Sequence, residues 1–335
     1  MMTEASVTVV IVNWNGGDLL DQCLRHLLRQ SRSPRRILIM DNGSTDGSAD
    51  RIRDTAEVDV QFVGANLGFA RANNLALKEC DTDFVALLNP DAFPDRDWLE
   101  NLLHAARTHP DVAAFGSRQM VHGTENTLDG IGDVYHFSGL IWRDGHGRPH
   151  SEADDVDGEI FSPCAGAALY RRDALLEVGG FDEDYFCYVE DVDLGFRLRL
   201  AGYKSMYVAD AVVYHVGSAC SGGQHSDFAV YYGHRNLVWA FVKNMPGTLF
   251  WILLPVHLLL NVVTLIHFTL HGQGAVMLRA KRDALKGIPS AWRKRRGVQA
   301  QRRASVRDIW RVLDKRLIPS RRLSRDHLLK VLGLV

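Results

Sequence analysis

Continuous apolar runs alternate with stretches of helical periodicity through the first third of the chain. Strands are predicted at the continuous runs, because a strand buried on both faces shows no alternation of apolar and polar residues. The predicted strands are residues 7–12, 36–40, 60–63 and 84–88, and the predicted helices are 19–28, 48–56, 69–79 and 98–107. This order favours βαβ units, and therefore an α/β fold with a mostly parallel sheet and helices on both faces.

The pattern is less regular from residue 117 to residue 159, where Gly, Asp and His are frequent. We expect irregular structure and short antiparallel strands there, on the side that faces the substrate. Order returns from residue 160 to residue 170. The remaining pattern predicts helices at 173–178, 190–201 and 227–243, and a strand at 212–216.

A long apolar run follows the last of these helices, since no Asp, Glu, Lys or Arg occurs between Lys243 and Arg279. Residues 249–270 are numerous enough to span a bilayer. Pro255 interrupts the run, however. Five polar residues also recur on one side of a helix built from it, and these are His257, Asn261, Thr264, His267 and His271. The polar stripe favours a helix that lies at an interface or re-enters the membrane.

Charge is distributed unevenly along the chain, although the net charge is only −1. Residues 241–335 carry 19 Lys and Arg against 4 Asp and Glu, a net charge of +15. Residues 1–240 carry 20 basic and 36 acidic residues, a net charge of −16. We therefore expect an acidic globular body, residues 1–243, followed by an apolar helix and a basic tail, residues 244–335. The apolar run could instead form a core or dimer helix, and the basic tail could instead bind nucleic acid, although no nucleic-acid-binding motif accompanies it.

The five cysteines have no CxxC spacing, which predicts reduced thiols in a cytosolic compartment. Residues 1–6 are polar, so we expect no signal peptide before the first strand. Both features favour a protein body that stays in the cytoplasm.

Polar residues cluster where four of the predicted strands and their loops end. In parallel sheets, ligands bind beyond the C-terminal ends of the strands, so these four loops are expected to converge on one site. The loops contain Asn13-Trp14-Asn15, the turn from Asp41 through Ser44 to Asp46, Asn66-Leu67-Gly68, and Asn89-Pro90-Asp91.

Two of these loops suit a nucleotide. The carboxylate of Asp41 could accept the imide N–H of a uracil or thymine ring, whereas a plain turn would use the same residue types. Gly68 precedes a predicted helix whose first amides could bind an anion. Arg71 and Asn74 lie on one face of that helix, and the alternative is an ordinary helix start with a solvated Arg.

Asp91 is the candidate ligand of a divalent cation. Mg²⁺ and Mn²⁺ prefer oxygen ligands and commonly take few of them from the protein, leaving the rest to phosphates and water. His215, at the end of the predicted strand 212–216, is the candidate second ligand. A lone His in an apolar strand is otherwise a hydrogen-bonded core residue.

Glu190 and Asp191 open a predicted helix after the aromatic segment 185–189. Acidic residues at a helix start are favoured by the helix dipole, which explains them without catalysis. The apolar approach, however, would shelter a carboxylate from water. Asp191, being shorter and at the mouth of the helix, suits the role of general base better than Glu190.

Together these four elements resemble glycosyltransferase family 2, a family of inverting enzymes with the GT-A fold. The resemblance covers residues 7–243 and rests on Asn13-Trp14-Asn15, the Asp41 loop, Asn89-Pro90-Asp91, and Glu190-Asp191. The family commonly has Asp-x-Asp at the metal motif. The Asn89 form resembles the rhamnosyltransferase branch.

The resemblance implies that Asp191 is the catalytic base, assisted by Glu190, and that Asp91 and His215 hold Mg²⁺ or Mn²⁺. It implies a dTDP- or UDP-linked donor bound by residues of the four loops, namely Asn13, Asn15, Asp41, Ser44, Asn66, Gly68, Arg71, Asn74 and Asn89. The expected reaction transfers L-rhamnose from dTDP-rhamnose to a polyprenyl-diphosphate-linked acceptor or a nascent surface polysaccharide. Another nucleotide hexose, or a silent glycan-binding paralogue, remains the alternative.

Such a donor is made in the cytoplasm. A single membrane span after the body would therefore export the basic tail, against the positive-inside rule. We expect instead a peripheral or monotopic protein on the cytoplasmic face of a bacterial inner membrane, whose basic residues meet anionic lipid.

Overall fold

The computed structural model describes residues 5–217 and 226–316, and the structural statements below refer to these residues. Its first part is an alternation of parallel strands and helices. The elements are β1 (Val7–Asn13), α1 (Gly17–Leu27), β2 (Arg36–Asp41), α2 (Ser48–Ile52), β3 (Val58–Phe62), α3 (Phe69–Glu79) and β4 (Phe84–Leu88). The strands and helices predicted for this part are confirmed, with ends shifted by a few residues.

The middle of the chain is more regular than the sequence indicates. Its elements are β5 (Ala92–Pro94), α4 (Trp98–Thr108), β6 (Val112–Val121), β7 (Leu128–Gly130), β8 (Asp133–Tyr135), β9 (Ile141–Arg143), β10 (Gly158–Glu159), β11 (Ala167–Arg171), α5 (Arg172–Glu177), α6 (Glu190–Leu200) and β12 (Lys204–His215).

Two strands of this part differ from the prediction. β6 is a ten-residue strand that begins before the segment expected to be irregular, and β12 begins at Lys204 rather than at residue 212. Both strands interrupt their apolar residues with small or polar ones, such as Ser117 and Gln119, which are buried all the same. The two strands pair with each other in parallel along most of their length, and this pairing compensates for their weak apolar pattern.

The main sheet is mixed but mostly parallel, as predicted. Its strand order is β10-β12-β6-β11-β4-β1-β2-β3, with β5 added to β12 and β7 added to β6. Helices cover both faces: α1 and α4 pack on one, and α3, α5 and α6 pack on the other. β11 is antiparallel to both of its neighbours. Its N-terminal end therefore lies at the C-terminal edge of β4, beside the candidate loops.

Four helices complete the described chain: α7 (Asp227–Asn244), α8 (Gly247–Leu270), α9 (Gly274–Ala300) and α10 (Val306–Val312). They share an apolar cluster with the α/β body, in which Phe241, Leu253 and Ile309 pack with Tyr135 and Phe196. The C-terminal helices are thus packed onto the body. The basic tail beyond residue 316 lies outside the described residues.

α8 is a 24-residue helix and is long and apolar enough to cross a membrane. Its polar stripe faces the protein: His257, Thr264 and His267 are buried, whereas Asn261 is half-buried and His271 is exposed. Its opposite side carries exposed apolar residues one heptad apart, Ile252, Leu259 and Ile266. One face of α8 is therefore covered by protein, and the other is open and apolar.

Candidate active site

Strand pairing brings Asp91 and His215 together. β5 runs antiparallel to the end of β12, with Ala92 opposite His215, and the amide of Val216 donates to the carbonyl of Asp91 at 3.0 Å. The Asp91 Oδ1 to His215 Nε2 distance is 3.2 Å. Both side chains are buried. Residues that are far apart in the sequence thus form a preorganised pair at the edge of the sheet.

Asp129 holds His215 in a fixed orientation. Its Oδ2 lies 2.8 Å from His215 Nδ1, so Nδ1 carries a proton and donates to Asp129, and Nε2 faces Asp91. Arg143 donates to the same Asp129 oxygen at 2.7 Å. Burial opposes the charge on Asp129, but Arg143 and His215 hold the pKa of that carboxyl well below its usual range. Burial alone would lower the pKa of His215, whereas its bonds to Asp129 and Asp91 raise it to about 9.

The pair suits a divalent cation with few protein ligands. A carboxylate oxygen and an imidazole nitrogen already lie side by side, and Asp129 supplies the outer hydrogen bond typical of metal-bound His. The amide nitrogen of Asn89 lies 3.5 Å from His215 Nε2, beside the pair. Within residues 5–217 and 226–316, no three His, Cys, Asp or Glu side chains are arranged to hold a metal by themselves. Phosphate oxygens of a donor would have to complete the coordination.

We expect Asp129→Asn to weaken metal binding while leaving the ligands themselves in place. Loss of an outer-shell carboxylate commonly lowers metal affinity by about 10- to 100-fold. Titration of activity with Mn²⁺ should therefore shift to higher metal concentration, with turnover at saturation largely retained. Asp144→Asn, a change of a carboxylate that accepts the Gly145 amide, serves as the control. An unchanged metal titration for Asp129→Asn would contradict this role.

Asn13 and Asp41 form a buried hydrogen-bonded cluster at the ends of β1 and β2, where they are register neighbours. Asn13 Nδ2 donates to Asp41 Oδ1 at 3.0 Å, and it also lies within 3.1 Å of the Ser44 and Ser48 hydroxyls. The second Asp41 oxygen accepts the Ser44 amide at 3.1 Å. This network fixes the Asp41 turn. Nucleotide binding by Asn13, Asp41 and Ser44 stays a prediction.

Asn15 extends the same network towards the outside. Its backbone is left-handed, with φ of 53°, and its amide donates to Ser44 Oγ at 2.9 Å. Its side-chain oxygen accepts the Thr45 amide at 2.8 Å. The β1 and β2 loops are therefore joined by side chains that lie at the surface of the proposed donor site.

The Asn66–Gly68 turn is packed against the segment that precedes the candidate base. Asn66 Oδ1 accepts from Asn42 Nδ2 and from the Gly68 amide, both at 3.0 Å. A Cβ on Gly68, where φ is 83°, would lie 2.5 Å from the Phe186 ring. Only glycine fits this close approach. The start of α3 is thus built into the wall of the site, and its predicted anion contact remains a prediction.

Arg71 and Asn74 contact the loop before the candidate base. Asn74 donates to the Phe181 carbonyl at 2.8 Å and accepts the Phe181 amide at 2.8 Å, and it also donates to Glu183. Arg71 Nε is 3.6 Å from a Glu183 oxygen, with both side chains largely exposed. The structure therefore gives Asn74 a positioning role in addition to the nucleotide contact predicted for it.

Asp191 lies in the first turn of α6. Its Oδ2 accepts the amide of Ala165 at 3.2 Å, and its Oδ1 accepts the Val192 amide at 2.8 Å. The neighbouring Gly166 carbonyl accepts the Asn89 amide at 2.8 Å. One short segment, residues 165–166, therefore contacts both the Asn89–Asp91 loop and the candidate base.

The carboxyl groups around Asp191 are not equivalent. Burial, and then the charge of Asp191, raise the pKa of Glu190 and of Asp133 well above their usual ranges. One oxygen of each has no hydrogen-bond partner in the described part of the chain. Burial raises the pKa of Asp191 less strongly, because the Ala165 amide and Arg143 oppose the shift. Asp191, which is also the more exposed of the pair with Glu190, is the carboxylate best able to carry charge and reach an acceptor.

The raised pKa of Asp191 determines in which direction the acidic limb of a pH–rate profile moves. A general base must be ionised, so activity is lost as pH falls through the pKa of Asp191. We expect the acidic limb to lie above the ordinary Asp value of about 3.9. The profile should be recorded at a limiting and at a saturating Mn²⁺ concentration, because protonation of His215 or Asp91 would give a limb that moves with metal. A limb at or below the ordinary Asp range would contradict the assignment.

Sequence reasoning missed Asp129, Asp133 and Arg143. All three lie in the segment expected to be irregular, and β7, β8 and β9 place them beside His215 and Asp191. The only signal in the sequence was the pair of Asp residues spaced by four in a glycine-rich stretch. Neither residue has a helical or strand pattern that would reveal its partner.

Comparison with known proteins places this chain among glycosyltransferases. The family described as Glycosyl transferase family 2 matches residues 8–179. N-acetylglucosaminyl-diphospho-decaprenol L-rhamnosyltransferase of Mycobacterium tuberculosis is 31% identical over 240 residues, covering 64% of this chain and 76% of that protein. O-antigen chain rhamnosyltransferase RfbN of Salmonella typhimurium is 26% identical over 212 residues, covering 62% of this chain and 66% of that protein.

Two solved structures share the fold at low sequence identity. GalNAc-T7 with UDP, GalNAc and Mn²⁺ has a TM-score of 0.57 at 16% identity, over 72% of this chain and 48% of that one. Mannosyltransferase PcManGT from Pyrobaculum calidifontis, in complex with GDP-Man and Mn²⁺, has a TM-score of 0.54 at 18% identity, over 92% of this chain and 88% of that one. The expected GT-A architecture is thereby confirmed.

Proposed function

The chain belongs to glycosyltransferase family 2, and we propose that it is a metal-dependent inverting enzyme that transfers L-rhamnose from dTDP-rhamnose to a lipid-linked or nascent cell-surface glycan. The observation that supports this most is the contact of residues 165–166 with both Asn89 and Asp191. It joins the candidate diphosphate site and the candidate base in one continuous surface.

The residues divide the work of a single displacement. Asp91 and His215 would hold Mg²⁺ or Mn²⁺, which when bound neutralises charge on the diphosphate leaving group. Asp41, with Asn13 and Ser44 behind it, would bind the nucleotide base. Asp191 would accept the proton of the acceptor hydroxyl as that oxygen attacks the anomeric carbon. The attack comes from the face opposite the nucleotide, so one displacement inverts the configuration.

Glu190 supports the base by staying neutral. It is buried beside Asp191, and a second negative charge there would cost more free energy than keeping Glu190 protonated. Arg143 lies between the two halves of the site: it donates to Asp129 at 2.7 Å and to the Cys164 sulfur at 2.8 Å, and its charge opposes the rise that burial causes in the pKa of Asp191. Asp191 thereby remains available for ionisation although it lies in a sheltered position.

The donor and acceptor are proposed from two observations. Asn89 occupies the first position of the metal motif, beside His215, in the form found in the rhamnosyltransferase-like branch. Two similar proteins are themselves named as rhamnosyltransferases, and one of those names specifies a decaprenol diphosphate acceptor. We therefore favour a deoxysugar donor and a polyprenyl-diphosphate-linked acceptor over another nucleotide hexose.

Binding and turnover of a panel of nucleotide sugars test the donor. The purified full chain should hydrolyse or transfer dTDP-L-rhamnose with Mg²⁺ or Mn²⁺, and EDTA should abolish the activity. UDP-glucose, UDP-GlcNAc and GDP-mannose should be used at least tenfold less efficiently. Preference for another nucleotide sugar would contradict the assignment of rhamnose but keep the same class of reaction. Absence of turnover with every donor would contradict the assignment of the chain as an enzyme.

We further propose a monotopic position on the cytoplasmic face of a bacterial inner membrane, with residues 1–243 as the catalytic domain and residues 244–335 as the membrane-associated part. The open face of α8 is apolar, and α9, which packs against α8, carries exposed basic residues such as Arg293 and Arg296. Each basic residue near anionic lipid contributes about 1 kcal/mol. The buried polar face of α8 favours a helix in the membrane plane over one that spans it.

Substitution of the open face tests this position without disturbing the core. We expect the triple change Ile252→Asn, Leu259→Asn and Ile266→Asn to move the protein from the membrane fraction to the supernatant, because it removes apolar surface that water already reaches. Leu176→Asn, at an exposed position on α5, is the matched control and should stay membrane-bound. Truncation before α8 would be a poor test, since Leu253 belongs to the shared core. Membrane retention of the triple variant would contradict the proposal.

A further inference from the structure

A polar cluster is enclosed by α7, α8 and α9, away from the residues assigned to the reaction. Lys281 of α9 donates to Asn261 Oδ1 of α8 at 2.6 Å and contacts the His234 carbonyl of α7 at 3.3 Å. The rings of His234 and His267 both contact the Phe268 ring, at centroid distances of 4.8 Å and 5.3 Å. Lysine and histidine side chains thus meet inside an otherwise apolar helical unit.

The hydrogen bonds within this cluster determine which of its groups donate and which accept. His257 Nδ1 donates to the Ser138 carbonyl at 2.8 Å, so its Nε2 can accept from Asn261 Nδ2 at 3.2 Å. The amide oxygen of Asn261 is then turned towards Lys281. His257 itself is stacked flat on Phe241, with centroids 4.0 Å apart. The whole chain of bonds ends at the Lys281 ammonium, whose two protein acceptors are neutral and occupy two of its three N–H donors.

No carboxylate neutralises this cation among the described residues. The acidic residues that α7 and α9 carry nearby are engaged elsewhere: Asp227 accepts from Gln273, and Asp283 accepts from Tyr231 and Arg282. Burial lowers the pKa of Lys281 to about 7, and burial with the charge of Lys281 lowers the pKa of His234 to about 3. A buried ammonium without a counter-charge is costly, so an anion that entered the cluster would be strongly favoured.

The cluster lies next to the wall of the candidate active site. α7 carries His234 on the cluster and also Phe228, Tyr232 and Arg235, which contact the segment before Glu190. Tyr232 stacks on Phe186 at 5.1 Å, and Arg235 donates to the Tyr185 carbonyl at 2.9 Å. Six residues of helix separate Phe228 from His234, which is about 9 Å. The cluster therefore lies within two turns of α7 of the residues that contact the segment before Glu190.

Two further features suit an anion attached to a lipid. Arg279 is exposed, lies 4.8 Å above the Tyr231 ring, and has no carboxylate partner in the described part of the chain. The apolar side chains of Ile266 and Leu270 are exposed beside His267 and continue the open face of α8. Positive charge and apolar surface thus meet at one end of the helical unit.

We propose that Lys281, His234 and His267, with Arg279 at the entrance, bind the diphosphate of a lipid-linked acceptor whose chain lies along the open face of α8. The inference rests on the proposed transferase function and adds to it the site that holds the acceptor. The acceptor sugar would extend past the start of α7 towards Asp191. Charged headgroup and apolar chain would then be recognised by adjacent surfaces of the same three helices.

Farnesyl diphosphate is a suitable probe, and its binding to the full chain in detergent can be measured by calorimetry. We expect Lys281→Met to weaken binding at least tenfold and Arg279→Gln to weaken it several-fold. Lys286→Met is the matched control, because this side chain lies on the same helix but is exposed and 3.7 Å from Asp283, and it should bind as wild type does. Removal of an unpaired buried charge should not lower the melting temperature of Lys281→Met. If the melting temperature does fall, the exposed Arg279→Gln change decides the question.

Unchanged binding of farnesyl diphosphate to both variants would overturn the proposal. Inorganic pyrophosphate and vesicles of phosphatidylglycerol and phosphatidylcholine distinguish the source of the anion. Equal affinity for pyrophosphate, or an equal loss of vesicle binding in Lys281→Met, would overturn the assignment to a lipid-linked acceptor. The assay uses no nucleotide sugar, so its failure is separate from failure of the proposed function, which would appear as absent donor turnover in the wild type.

Discussion

Asp191→Asn is expected to lower the turnover of sugar transfer by about 10³-fold, within the range typical of a lost general base. The amide keeps the shape of the side chain and can still accept the Ala165 amide, but it cannot take a proton from the acceptor hydroxyl. The binding of donor and metal should stay close to wild type, since Asp191 is not a candidate metal ligand and its carboxylate accepts the Ala165 and Val192 amides. Single-turnover transfer with saturating donor and Mn²⁺ measures the effect directly.

Glu190→Gln is the matched control for this loss. If Glu190 is protonated in the folded protein, as its burial beside Asp191 indicates, a carboxamide replaces it with nearly the same shape and charge. Turnover should then fall by less than about tenfold, well short of a lost general base. A loss of about 10³-fold in Glu190→Gln together with an active Asp191→Asn would assign the base to Glu190 instead.

Asp91→Ala is expected to abolish metal-dependent turnover. The carboxylate is one of two protein ligands in the candidate metal site, and its removal leaves His215 as the single candidate ligand. Metal stabilisation of a leaving group is worth several kcal/mol, which corresponds to a loss of about 10³-fold or more. The electron paramagnetic resonance signal of free Mn²⁺, titrated with protein in the presence of dTDP, measures binding apart from catalysis.

Asp97→Ala controls for the removal of a nearby carboxylate. Asp97 lies six residues further on, is exposed, and makes no side-chain cap on α4. Its replacement should leave Mn²⁺ binding and turnover unchanged. Retention of metal-dependent turnover in Asp91→Ala would exclude this carboxylate as the essential ligand.

The parts of the fold that follow from local patterns were predictable from the sequence. β4 is five consecutive buried residues, and α3 shows clear helical periodicity, so both were placed with the correct ends. The same patterns predicted that the loops after β1 and β2 would meet, because parallel strands present their C-terminal ends on one edge. Asn13 and Asp41 do lie in register there and share a hydrogen bond.

The rest depended on partners distant in the sequence. β6 and β12 lack continuous apolar runs, and they are strands because each is the neighbour of the other in the sheet. Asp129 is 86 residues from His215, and only the pairing of β7 with β6 brings it close. The polar stripe of α8 was visible in the sequence, but its contacts with Ser138 and Lys281 were not. These strands and contacts depend on long-range pairing, which no local sequence pattern encodes, and they could therefore not be predicted.

The stereochemistry of the product distinguishes a single displacement from a double displacement. The purified full chain should be incubated with dTDP-L-rhamnose, Mn²⁺ and a GlcNAc-diphosphoprenyl acceptor. The anomeric configuration of the new glycosidic bond is then determined by nuclear magnetic resonance. A single displacement with Asp191 as base predicts a product whose configuration is opposite to that of the donor, formed only when metal is present. A product that retains the donor configuration, or that forms equally well in EDTA, would contradict the account.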